Sequence, residues 1–243
     1  MFGSIKKFFD NKRITPLLYI DIHSHLIPNI DDGVKSFDES IKILKTLESI
    51  GYKKVITTPH VIGDCYNNST KKLLDMLYLL RQKAKENGID IELDISAEYY
   101  CDEEFVDRLK SNDLLPILGR YILFETSYVS LTPYLLDIVY QIKLNGYIPL
   151  LAHPERYNYI SDFAIYSKWR EAGIKFQVNI LSFDGYYGIY SKKRVEFLAK
   201  SGFIDVIGSD IHSYSDATRI QELFKKGLYE YIFKDNTIIN SSN

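Results

Sequence analysis

Residues 17–25 read Leu17-Leu18-Tyr19-Ile20-Asp21-Ile22-His23-Ser24-His25, an apolar run that passes directly into a pair of imidazoles. The run does not alternate cleanly between apolar and polar, which suits a strand buried on both faces. Ser36 then opens a helix. Its hydroxyl can cap the free amides while Glu39 reaches back, Ile41, Leu44 and Leu47 make the buried stripe, and Gly51 stops it. The same pair recurs down the chain. Strands are expected over 54–58, 91–97, 121–124, 147–152, 174–178 and 203–207, and helices near 69–87, 102–110, 133–144, 162–171, 192–200 and 217–226. About seven strand-then-helix units follow one another without a Pro/Gly/Ser-rich linker. Such alternation implies parallel pairing, in either a closed barrel or an open doubly wound sheet.

The 243-residue chain carries 30 basic and 32 acidic side chains, a formal charge of −2, and is 46% apolar. That argues against a disordered chain and gives no global reason to expect a nucleic-acid partner. Two cysteines, Cys65 and Cys101, cannot build a disulfide framework. No apolar run is long enough to span a bilayer, and the first residues lack a signal peptide's apolar core, so a cytoplasmic location is expected. Residues 1–16 form an extension in which Phe2, Ile5, Phe8 and Phe9 recur at helical spacing among Lys6, Lys7, Lys12 and Arg13. It reads either as an arm packed on the domain of residues 17–243 or as a basic amphipathic helix touching a membrane surface.

All five histidines fall at or just past the C-terminal end of an expected strand: His23 and His25, His60, His153 and His212. Glu98, Glu125 and Asp210 share that location. In a barrel of parallel strands these ends converge on one face, where barrel active sites are built. Buried charges are normally paired or bound to metal, and imidazole with carboxylate suits Zn, Mn or Fe. In His23-Ser24-His25 and Asp210-Ile211-His212 the two side chains are two residues apart, so an extended backbone points them to one side. Singly, each residue has a plainer use: Glu98 could pair with Arg108, Asp210 could cap a helix, Glu125 could open a loop, and Asp31-Asp32-Gly33 could be an ordinary turn. Their conjunction points to a metal site. Arg156 and Arg219 could each clamp a phosphate or simply pair with an acid. A thiol phosphatase needs an arginine six positions after its cysteine; Lys71 and Asp107 stand there instead. Neither a G-x-S-x-G elbow nor a G-x-x-x-x-G-K-[ST] loop occurs.

Taken in order, Asp21-Ile22-His23-Ser24-His25, Asp31-Asp32-Gly33, Thr58-Pro59-His60, Ala97-Glu98-Tyr99, His153-Pro154-Glu155-Arg156 and Ser209-Asp210-Ile211-His212 resemble the polymerase and histidinol phosphatase (PHP) superfamily. The likeness runs from about residue 19 to residue 230 and is nearest to the bacterial manganese-dependent protein-tyrosine phosphatases of capsule and exopolysaccharide operons. It implies an α/β fold of the distorted (β/α)7 barrel type, choosing barrel over open sheet. It also implies three divalent metals, manganese first, with iron or zinc acceptable. One would take His23, His25, Glu98 and Asp210; a second would share Glu98 and add Glu125 and His153; a third would take Asp32, His60 and His212. Arg156 matches the phosphate-binding arginine, and Arg219 the second, across a loop longer than the family's.

The implied reaction is hydrolysis of phosphotyrosine by a metal-activated water, on the tail of a bacterial tyrosine kinase that controls polysaccharide export. A phenol of pKa near 10 leaves more readily than an aliphatic alcohol, which fits a chain with few candidates for a dedicated general acid. Two other readings stay open: a small-molecule phosphatase of the histidinol-phosphatase kind, and a non-catalytic metal-stabilised scaffold that binds the kinase.

Overall fold

In a computed structural model, which describes residues 18–226 and 232–241, the first apolar run contributes a strand of only two residues, β1 (Ile20–Asp21). The extension over residues 1–16 lies outside the described residues. Helix α1 (Phe37–Ser49) starts where the sequence places it, with the Ser36 hydroxyl accepting from the Glu39 amide at 3.2 Å. The Glu39 carboxylate reaches back to the Lys35 amide, one residue earlier than a capping box requires. Ile41, Leu44 and Leu47 are buried as the stripe predicts.

Two of the expected strands are each continued by a second segment beyond the expected range. The second, β2 (Lys54–Thr57), is followed by β3 (His60–Val61) past Pro59, which has no amide to give a ladder. After α2 (Thr70–Glu86), the third, β4 (Glu92–Ile95), is followed by β5 (Glu98–Tyr100). Between them Ser96 turns its hydroxyl to the Leu115 carbonyl. His60 and Glu98 are thereby the first residues of new strand segments rather than the residues after old ones. The remaining pairs are α3 (Glu103–Ser111), β6 (Tyr121–Glu125), α4 (Leu135–Leu144), β7 (Ile148–Ala152), α5 (Ala164–Glu171), β8 (Lys175–Asn179), α6 (Ile189–Lys200), β9 (Val206–Gly208) and α7 (Tyr214–Lys226), followed by a short α8 (Ile232–Asp235).

Every ladder is parallel. The strands form a three-stranded sheet in the order β1-β2-β4 and a six-stranded sheet in the order β3-β5-β6-β7-β8-β9. The chain is therefore mixed α/β with a curled parallel sheet. Past β1 the backbone is stitched to both neighbours: Thr58 N donates to Ser24 O (2.7 Å), Asp210 N to His23 O (2.7 Å) and His25 N to Ile211 O (2.9 Å). The apolar interior divides in two, as strands buried on both faces require. Ile22, Ile56, Tyr121, Leu123, Leu150, Ala152 and Val206 pack within the curl. The alternate residues Ile122, Phe124 and Leu151 join the larger core beneath the helices. No helix among the described residues is long and apolar enough to cross a membrane.

Candidate metal centre

The strands end in one place because parallel βα units put every strand's C-terminal end on the same side of the sheet. All five imidazoles meet there. Ring centroids lie 4.0 Å apart for His25 and His212, 4.7 Å for His25 and His60, and 5.5 Å for His23 and His153. The two-residue spacing of His23 and His25 brings their Nε2 atoms to 3.3 Å. At the centre stands Glu98, fully buried. Its Oε2 is 3.1 Å from His23 Nε2, 3.4 Å from His25 Nε2 and 3.3 Å from His60 Nδ1, while Oε1 is 2.8 Å from His153 Nε2.

Candidate ligand atoms gather in overlapping groups, each within 4.8 Å: His25, Asp32, His60 and His212; His23, His25 and Asp210; His23, Glu98 and His153; and His60, Glu98 and Glu125. Asp32, His60 and His212 thus come together as expected, joined by His25, and Glu98 is shared between groups. Glu125 sits nearer His60 (3.3 Å) than His153 (3.9 Å), so its grouping differs from the one the family likeness implies. The plainer alternatives for Glu98 and Asp210 are not used. Arg108 pairs with Glu104 and Asp113 instead of Glu98, and it is Asp216, not Asp210, whose carboxylate accepts the His212 and Ser213 amides at the start of α7.

The pocket is a fit for divalent cations. Its donors are nitrogen and carboxylate oxygen only, and the buried atoms His60 Nδ1 and Glu125 Oε2 have no hydrogen-bond partner among the described residues. Electrostatics point the same way. Burial disfavours charge on His23 and His25, but the carboxylates around them outweigh it and raise both; His60 is pushed up to about 9 by Glu98 and Glu125 against its burial. Burial likewise works against the Glu98 carboxylate, yet His23, His60 and His153 hold it well below the usual range. Carboxylates that favour positive charge on three neighbouring imidazoles would equally favour a divalent cation held by those imidazoles.

Several further residues orient the cluster, of which Gln177 and Asn179 are not apparent from the sequence. Gln177 Oε1 faces His23 Nδ1 at 2.7 Å and accepts from the His153 amide at 3.2 Å, so His23 is left with Nε2 for the pocket. Gln177 Nε2 donates to Asn179 Oδ1, and Asn179 Nδ2 donates to Asp210 Oδ2 at 2.6 Å. Asp31 is both turn and support: Oδ1 accepts from Gly33 N, while Oδ2 lies 2.8 Å from His25 Nδ1 and accepts from His60 N at 3.1 Å. Asp21 accepts from the Ser209 hydroxyl and amide and ties β1 to the end of β9; burial pushes its carboxyl up to about 6. The alternation Gln177-Val178-Asn179 at a strand end was the available signal. Replacing Gln177 by Met should weaken divalent-metal binding by roughly 10–100-fold in a metal titration while the protein stays folded; unchanged affinity would remove Gln177 from the site.

Two glycines are dictated by this crowding. A Cβ on Gly33 would lie 2.4 Å from the His25 carbonyl, and one on Gly208 would lie 2.7 Å from both Gln177 Nε2 and His23 Cβ. Two candidate ligands hold left-handed backbone that side chains seldom adopt, His153 (φ 31°) and Asp210 (φ 52°). Such conformations cost of order 1–3 kcal/mol each and gather at functional sites.

The pocket has a volume of about 300 Å³. Arg156 lines it, with its guanidinium between the rings of Tyr187 (4.2 Å) and Tyr128 (5.0 Å) and Nη1 donating to Asp210 Oδ2 at 2.6 Å. Arg219 does not line it. It lies in the second turn of α7, its side chain 47% exposed, paired with Asp184 (3.2 Å) and over the Tyr186 ring (4.9 Å). Neither cysteine belongs to the cluster: Cys65 is exposed, and Cys101 is buried with its thiol pushed well up by that burial.

A family profile for capsular polysaccharide synthesis proteins, CpsB/CapC, matches residues 19–232. The chain belongs to the CpsB/CapC family. Its relatives include CapC of Staphylococcus aureus, 27% identical over 218 residues that cover 87% of this chain and 86% of the relative. The tyrosine-protein phosphatase YwqE of Bacillus subtilis is 28% identical over 196 residues, covering 80% and 77%. A solved CpsB/CapC structure, from work on YwqE of Bacillus subtilis and CpsB of Streptococcus pneumoniae described as unique metal-dependent tyrosine phosphatases, superposes with a TM-score of 0.76 at 24% identity, covering 92% of this chain and 97% of that one.

Proposed function

We propose that this chain is a metal-dependent protein-tyrosine phosphatase. The observation that carries the reading is that five imidazoles and four carboxylates from separate strand ends converge on one pocket whose wall holds Arg156. The family membership supports it, since relatives of this length are named tyrosine-protein phosphatases. We read the curled sheet as a distorted (β/α)7 barrel: joining β2 with β3 and β4 with β5 leaves seven strands, and the hydrogen bonds of residues 23–25 to residues 58 and 209–211 fit a closed ring.

His23, His25, Asp32, His60, Glu98, Glu125, His153, Asp210 and His212 would hold the cations, up to three of them, with manganese preferred and iron or zinc compatible. When bound, such ions supply water activated for attack at neutral pH and neutralise charge on a phosphoryl group. The chain's own contribution is to aim that chemistry. Gln177 and Asp31 fix the imidazole faces, and Glu98 sets the spacing of the groups it touches. Arg156, its charge favoured by Asp210 against burial, presents a planar fork to the equatorial oxygens of a phosphate monoester. Phenolate leaves without needing full protonation. Arg219, paired with Asp184 outside the pocket lining, would meet a protein substrate and not the transferred phosphate. The substrate we assign is phosphotyrosine on the tail of a bacterial tyrosine kinase of polysaccharide export, and the location cytoplasmic.

The test joins elemental analysis of the purified protein to aryl-phosphate hydrolysis before and after chelation. Two to three divalent ions per chain and activity lost on chelation and restored by Mn²⁺ are expected. Activity that survives full metal removal would refute the reading, and histidinol phosphate turned over far better than a phosphotyrosine peptide would move it to a small-molecule phosphatase.

A further inference from the structure

The pocket's lining combines the charged groups Asp32, His212 and Asp210 with apolar and aromatic side chains from the ends of three neighbouring strands: Ile62 and Tyr66 after β3, Tyr100 on β5 and Tyr128 after β6. Tyr66 is held there by a tight antiparallel turn, with Tyr66 N donating to Ile62 O (2.8 Å) and Ile62 N to Tyr66 O (3.2 Å). Its ring lies nearly parallel to that of His60, 14° off at 5.8 Å between centroids, and is half-buried. Tyr128 does two other things: its hydroxyl is 3.3 Å from His153 Nε2, and its ring supports Arg156. Among the described residues the Tyr66 hydroxyl makes no hydrogen bond to the cluster, and its ring lines the pocket beside His60.

We infer that Tyr66, backed by Ile62, is the specificity residue that selects an aryl over an alkyl phosphate by packing against the substrate's ring. The inference rests on the phosphatase reading for the word substrate, and otherwise on the shape of the pocket. A phosphoryl group held by Arg156 has Ile62, Tyr66 and Tyr100 in the same lining to receive its ester group. An aromatic ring there finds an offset or edge-on partner, whereas a serine-derived methylene touches little.

Binding of non-hydrolysable phosphonates to the metal-loaded protein separates this from the phosphatase reading. Phenylphosphonate should bind roughly tenfold more tightly than methylphosphonate, with Tyr66→Ala removing most of that preference and Tyr66→Phe keeping it. Methylphosphonate affinity and metal content, measured on the same samples, should be unchanged in both variants. A wild-type protein that binds the two phosphonates equally, or a Tyr66→Ala variant that loses metal and both ligands together, would overturn the inference. The first result shows no ring site and the second shows that Tyr66 only steadies His60. A protein that prefers phenylphosphonate through Tyr66 yet hydrolyses no aryl phosphate would leave this inference standing and refute the phosphatase reading.

Discussion

Glu98→Gln is expected to empty the pocket of tightly bound metal and to lower kcat/KM for an aryl phosphate by about a thousandfold or more. The Glu98 carboxylate reaches four of the candidate imidazoles at once. Its two oxygens face His23, His25, His60 and His153 within 3.4 Å, and it is shared between two of the groups that could each hold an ion. Glutamine keeps the shape but offers one carbonyl oxygen in place of two anionic ones, and its amide would turn N–H toward imidazoles that also need an acceptor. The same change should be felt in the metal-free protein, where the carboxylate is the buried counter-charge of protonated imidazoles. Removing one partner of such a group costs roughly 3–5 kcal/mol. Metal content, steady-state kinetics and thermal unfolding after chelation are the three measurements. A variant that keeps its metal and stays within tenfold of the parent's activity would show that Glu98 is not the shared ligand.

Arg156→Ala should lower kcat/KM by about 10²–10³-fold with metal content intact, the size expected when one preorganised group facing transition-state charge is removed. The guanidinium is positioned before any substrate arrives: stacked between Tyr187 and Tyr128, and hydrogen-bonded to Asp210. Lysine should recover little, because a point charge on a flexible stem reproduces neither the stacking nor the fork. Loss of bound metal in parallel with activity would contradict this prediction and make Arg156 a support for Asp210. The corresponding change at Arg219, paired with Asp184 outside the pocket, should cost far less with a small aryl phosphate than with a protein substrate.

The gathering of the histidines was legible in the sequence because each follows a short apolar run, and runs of that kind in a βα series all end on one side. Gln177 was not legible as part of a site, and Asp31 only as a turn or a ligand, not as the support of His25. An amide at a strand end and an aspartate before a turn are common in sequence, and only their distance to a ring nitrogen distinguishes them. Arg219 illustrates the opposite limit. Its place after His212 resembles a phosphate-binding position, yet on the helix that begins at Tyr214 its side chain pairs with Asp184 and does not line the pocket.

By itself the sequence determined the alternation of strand and helix, the placement of nitrogen and oxygen donors at successive strand ends, and the exclusion of cysteine-based chemistry, because periodicity, order and residue type are local properties of the chain. Only the tertiary structure decided which nitrogen of His23 and of His25 is taken up by a supporting partner, and which aromatic side chains line the pocket. Those choices are made by contacts such as Gln177 to His23, between residues 154 positions apart, whose geometry exists only once the sheet has curled.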